Sequence, residues 1–116
     1  MRIPFEIPEV DEVHEAAGYV YLEDEYLVFE FHVLNWGITK GEQTIVKAER
    51  GVVDGIRAQP GWFKDRLLIE THNTRLLKEI PGTHVAAIEL RTKKRHRLQV
   101  GQFIELVQAW KREKPV

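Results

Sequence analysis

Apolar and polar residues follow a period of two through most of the chain. In GYVYLEDEYLVFEFHVLNWG, residues 18–37, two runs rich in aromatic and β-branched side chains flank Glu23-Asp24-Glu25 and read as a pair of strands. Within the second run, Leu27, Phe29, Phe31 and Val33 share one uniformly apolar face, which assigns Phe29 and Phe31 to the core. GITKGE predicts a turn and Thr44–Ala48 a further strand. VVDGIRAQ reads as a strand interrupted at Gly55, where a glycine marks a bulge or a close backbone approach. Pro60-Gly61 predicts a turn. After it RLLIET and RLLKEI read as strands of a hairpin around Thr71-His72-Asn73, and VAAIEL follows the Pro81-Gly82 turn as another. Upstream, Val10, Val13, His14 and Ala17 in EVDEVHEAA recur at helical spacing, which predicts a short N-terminal helix ended by Gly18.

The period changes near the C-terminus. On a helical wheel Val100, Phe103, Ile104, Val107 and Trp110 fall on one broad face, with Glu105, Gln108 and Arg112 opposite. This predicts an amphipathic helix whose Phe103, Ile104, Val107 and Trp110 are structural. Its start has two readings. Leu98 falls on the polar side and Gly101 disfavours a helix interior, so the helix begins near Gly101 and RHRLQV is extended; or it begins soon after Arg91 and leaves Leu98 outside. About seven close-spaced strands followed by one helix predict a mainly β domain, a barrel or sandwich.

The 116 residues are 43% hydrophobic and 30% charged, sufficient for one core without metals or cross-links. The chain contains neither cysteine nor serine, so disulfides, cysteine-ligated zinc and serine or cysteine triads are excluded. The glycines form no nucleotide loop, the five histidines form no metal motif, and no catalytic pair stands out. We expect no enzyme, no cofactor and no metal. The apolar runs are too short to cross a bilayer and the opening MRIPFEIPEV is not a secretory signal, so a cytoplasmic location is expected.

A formal net charge of -1 gives no overall basic excess and argues against nucleic acid. The charge is nevertheless uneven. Residues 1–30 carry nine acidic and one basic residue, whereas residues 86–116 carry three acidic and eight basic.

The opening hairpin GYVYLEDEYLVFEFHVL, the strand DRLLIET and the closing HRLQVGQFIELVQAW together resemble a pleckstrin-homology-like domain of the small bacterial or GRAM-like type. Trp110 stands where that family's helical tryptophan commonly packs on its barrel. The resemblance covers residues 18–113, leaving 1–17 as an N-terminal arm and 114–116 as a tail. It implies a bent β barrel of seven strands closed by the C-terminal helix. Two departures accompany it. Counting RLLKEI, VAAIEL and residues 95–100 all as strands gives eight, and Glu23, Asp24 and Glu25 occupy the loop where phosphoinositide-binding relatives carry cations.

Two surfaces are candidates for function. Trp36, Trp62 and Phe63 abut turns, where they either plug a barrel end or offer a protein contact. Lys64, Arg66, Arg91, Lys93, Lys94, Arg95 and Arg97 could contact an anion, or could be a solvated turn or helix start facing the acidic N-terminal third. The expectation is a noncatalytic module that binds a protein partner or its own copies. The alternative is an anionic lipid headgroup or other phosphate ligand on the basic patch. Peripheral membrane contact is disfavoured because the acidic loops would resist it, and a small molecule held in or beside the barrel is neither placed nor excluded.

Overall fold

The computed structural model describes residues 1–8, 14–35, 38–81 and 86–113. Seven strands, β1 (Arg2–Ile7), β2 (His14–Glu23), β3 (Tyr26–Asn35), β4 (Ile38–Glu49), β5 (Val53–Gln59), β6 (Asp65–Thr71) and β7 (Ala87–Thr92), form one antiparallel sheet in the order β4-β3-β2-β1-β7-β6-β5. Helix α1 (Thr74–Glu79) links β6 towards β7, and α2 (Arg97–Arg112) follows β7 through a 3-10 turn, Lys94–His96.

The expected barrel or sandwich is corrected by this order. β4 and β5 are the two edges and do not pair with each other, so the sheet is open, and among the described residues there is no second sheet for a sandwich. The feature that local patterning missed is β1. RIPFEI alternates correctly, with Ile3, Phe5 and Ile7 buried, but Pro4 reads as an obstacle because proline cannot donate to a ladder. β1 nonetheless lies at the centre of the sheet, tolerated because it pairs fully with β2 and meets β7 only at Glu6↔Arg91.

Two further expectations change. Of the proposed N-terminal helix, residues 14–17 begin β2, while residues 9–13 lie outside the described residues. RLLKEI is helical rather than extended. The Asn73 side chain caps α1 by accepting from the Leu76 N–H at 2.9 Å, and an Arg75–Glu79 pair at 3.1 Å supports its exposed side. Leu76 and Ile80, four apart, are both buried. The turn expected at GITKGE is also displaced, since Ile38–Glu49 is strand throughout.

Core side chains come from all seven strands and both helices. Phe29 and Phe31 are buried in it with Val100, Phe103, Val107 and Trp110 of α2, and Ile104 packs at its margin. α2 lies against β5 and also touches β1. Burying each of its four large apolar side chains stabilises the fold by about 1.5–3 kcal/mol, an upper figure because unfolded chains already bury some surface. Among the described residues, no helix is long and apolar enough to cross a membrane.

The start of α2 at Arg97 decides between the two sequence readings. Leu98 is left 74% exposed, and Gly101 sits in the helix interior with nothing within 4 Å of where a Cβ would stand. Gly101→Ala should therefore raise unfolding free energy by about 0.5–1 kcal/mol, from helix propensity alone. Chemical denaturation would measure it, and a loss of stability would contradict the open space described.

Candidate functional site

The β5–β6 turn and the β7–α2 connection meet at one end of the sheet. A buried carboxylate joins them. Asp65, the first residue of β6, accepts Arg97 Nε at 2.8 Å and Arg97 Nη2 at 2.9 Å. It also accepts Lys94 Nζ and the Gly61 N–H, each at 3.4 Å. Arg97's hydrogen bonds hold the Asp65 carboxyl down at about 2, against burial, with the Gly61 N–H and Lys94 helping. The same contact raises Arg97. Lys94 additionally donates to Gly61 O, so the basic run is stitched to the turn.

This geometry divides the seven candidate cations. Lys94 and Arg97 are committed to Asp65, Lys64 pairs with Glu6, and Arg66 pairs with Glu89 at 3.0 Å. Arg91, Lys93 and Arg95 are exposed and have no ion pair among the described residues. Among the described residues the basic run thus does not face the acidic N-terminal third as a block. Its structural half meets Asp65, and Arg91 stands in register between Glu6 on β1 and Arg66 on β6. Like charges directly opposed across a ladder are destabilising, and here Glu89 beside Arg66 and Glu6 opposite Arg91 offset the Arg66–Arg91 juxtaposition.

Trp62 and Phe63 do not plug an end of the sheet. They are 87% and 83% exposed, in edge-to-face contact with centroids 6.4 Å apart, at the tip of the β5–β6 turn. A cleft of about 260 Å³ separates them from Arg66 and Arg91. Trp36 lies outside the described residues. The polar cluster at residues 71–74 is structural: Thr71 Oγ1 donates to Val52 O, Asn73 caps α1, and His72 pairs with Asp54 at 2.9 Å.

The Glu23-Asp24-Glu25 turn stands at the other end of α2. Arg50 connects them, lying 5.2 Å from the Trp110 ring, 3.8 Å from Glu25 and 3.7 Å from Glu113. A sixteen-residue helix spans about 24 Å, about three screening lengths at physiological salt. The acidic turn is therefore screened from what approaches Trp62. Glu9, Asp11 and Glu12 lie outside the described residues.

Compared with family models, curated proteins and solved structures, the chain matches none. What this surface does is therefore argued from its geometry. Among the described residues no group of histidines and carboxylates could hold a metal ion.

Sequence reasoning had no means of finding a second concavity. On the sheet face opposite the core, a groove of about 430 Å³ runs between the β1–β3 surface and the β7–α2 connection, bordered by Arg91, Lys93, Arg95 and His32. Gly18 lies beneath it, paired with core-facing Phe5 and Phe31. A Cβ there would lie 1.9 Å from the Glu30 carbonyl oxygen and 2.6 Å from Phe31 Cα, so only glycine fits between β2 and β3. The sole sequence trace of this groove is that Glu30 and His32 share the polar face of β3.

Proposed function

We propose that the protein is a noncatalytic cytoplasmic module that docks on an anionic membrane surface through the Trp62–Phe63 tip and the cations around it. The observation that carries this reading is an almost fully exposed Trp–Phe pair on a turn, sharing a cleft with Arg91, an exposed cation that lacks an ion pair among the described residues. Aromatic rings favour the interfacial layer of a bilayer, and each basic residue near an anionic leaflet adds about 1 kcal/mol. Exposed Leu98, which follows the clamped Arg97, adds apolar surface at the same end. Buried Phe103, Val107 and Trp110 are unavailable to lipid, so contact is by the tip and not by the α2 face.

Sedimentation with vesicles of phosphatidylcholine, alone or mixed with phosphatidylglycerol, tests the proposal. Binding should require the anionic lipid and weaken with salt. Trp62→Ala with Phe63→Ala should reduce it about tenfold or more, since each ring loses on the order of 1 kcal/mol of interfacial burial. Binding that ignores lipid charge, or that survives the double substitution, would shift the tip to a protein partner. That second reading is favoured by Arg66 and Arg91 beside Trp62, because tryptophan and arginine dominate protein-interface hot spots.

A further inference from the structure

We infer that the groove on the outer face of the sheet is a binding site for a phosphate group carried on a small polar body. The inference deepens the membrane reading and rests on it only where the phosphate is that of a lipid headgroup. Three observations converge on an anion.

The first is the charge left over after internal pairing. Two carboxylates border the groove, and both are engaged: Glu30 accepts Arg2 Nη1 at 2.8 Å and also Gln43 Nε2, and Glu6 pairs with Lys64. Arg91, Lys93 and Arg95 on the opposite wall have no such partner among the described residues. The groove is therefore left with unpaired positive charge.

The second is a polar atom without a partner. His32 borders the groove, and its Nδ1 is buried with no hydrogen bond. Buried polar groups are rarely left unpaired, and with its proton on Nδ1 the ring would gain a partner by turning that N–H towards an anion in the groove.

The third is shape. A volume of about 430 Å³ lies in the range of small-ligand pockets and far exceeds what one phosphate fills. Ala17 puts only a methyl group on the floor, and Tyr19 supplies a ring at its edge. A sugar or inositol phosphate matches these features. Arginine forks and the lysine would take the phosphate oxygens, and the body of the ligand would lie beside Tyr19. The ligand's source is either a lipid headgroup, delivered beside the tip because Arg91 borders both concavities, or a free phosphate compound.

NMR titration of the whole chain with inorganic pyrophosphate, at constant ionic strength, tests the site. Saturable shifts should be confined to residues 17–19, His32 and 91–96. Arg91→Gln with Arg95→Gln should weaken binding about tenfold or more, as expected for lost charge-assisted hydrogen bonds. Arg57→Gln, which removes a β5 cation paired with Glu70, should leave it unchanged. Vesicles containing phosphatidic acid, whose headgroup is a phosphate monoester, separate the sources. Competition with pyrophosphate identifies the lipid headgroup, and its absence identifies a free phosphate ligand. Trp62→Ala with Phe63→Ala should weaken vesicle binding about tenfold or more yet preserve the pyrophosphate shifts, so failure of the tip and failure of the groove are distinguishable. Shifts spread over every cationic surface, unaltered in the Arg91/Arg95 variant, or matched by chloride would overturn the inference. Should the double variant fail to fold, Lys93→Gln alone, outside any strand or helix, carries the same expectation at smaller size.

Discussion

Trp110→Ala should lower the unfolding free energy by about 3–5 kcal/mol, the range for deleting a buried large aromatic side chain. Trp110 ends the apolar face of α2 and is 5% exposed, with the Arg50 guanidinium over its ring. Its loss opens a cavity under the last helical turn and releases Arg50, which also holds Glu25 and the Glu113 carbonyl. Trp110→Phe gives the contrast. It retains an aromatic face for Arg50 and removes an Nε1–H that has no hydrogen-bond partner, so the loss should be about 1–2 kcal/mol. Equilibrium denaturation of the three proteins measures both steps. A Trp110→Ala variant within about 1 kcal/mol of the parent would mean that α2 does not close the core.

Asp65 should govern the acid limb of stability. Its carboxyl titrates at about 2 when folded and near the ordinary 3.8 when unfolded. The unfolded chain takes up the proton first, so this contribution is complete above 3.8. It declines as pH falls and is lost once the folded carboxyl protonates near 2. Asp65→Asn should remove about 1–3 kcal/mol at neutral pH and flatten the profile between those limits. The loss falls below that for a fully buried pair. Arg97 and Lys94 are 59% and 42% exposed, so both cations recover water when Asp65 no longer accepts from them. Denaturation midpoints of parent and variant, followed down to pH 2, would expose a parallel decline as the contrary result.

The two predictions concern elements of different legibility. α2 could be read because its four apolar positions share a face within a few turns, a purely local pattern. β3 could be read for the same reason. β1 was hidden by Pro4, and what makes that proline tolerable is a ladder to β7 formed at one residue pair, a fact about distant chain segments. RLLKEI read as a strand of a hairpin, and the buried pair at Leu76 and Ile80 together with the Asn73 cap makes it helical instead.

Whether an antiparallel sheet closes depends on twist and stagger accumulated over every ladder, so seven strand-like segments could not separate a barrel from an open sheet. The candidate site was legible in its residue types but not in its division. Lys94 and Arg97 look like their neighbours in sequence, and only Asp65, about thirty positions upstream, separates the clamped cations from those left for a ligand. The exposure of Trp62 and Phe63 was equally hidden, since it depends on what fails to pack over them.

The central position of β1 bears on the order in which the protein is made. Its first neighbour, β2, emerges from the ribosome soon after it, but Arg91 lies 85 positions beyond Glu6. A nascent chain that stops short of β7 holds a paired meander whose innermost strand is bare along one flank. Contacts of such long sequence separation form slowly, so the unfinished polypeptide is most vulnerable to wrong pairing during synthesis of its second half. Translation through residues 87–112 relieves that exposure, when the missing neighbour and the covering helix arrive within a few turns of each other.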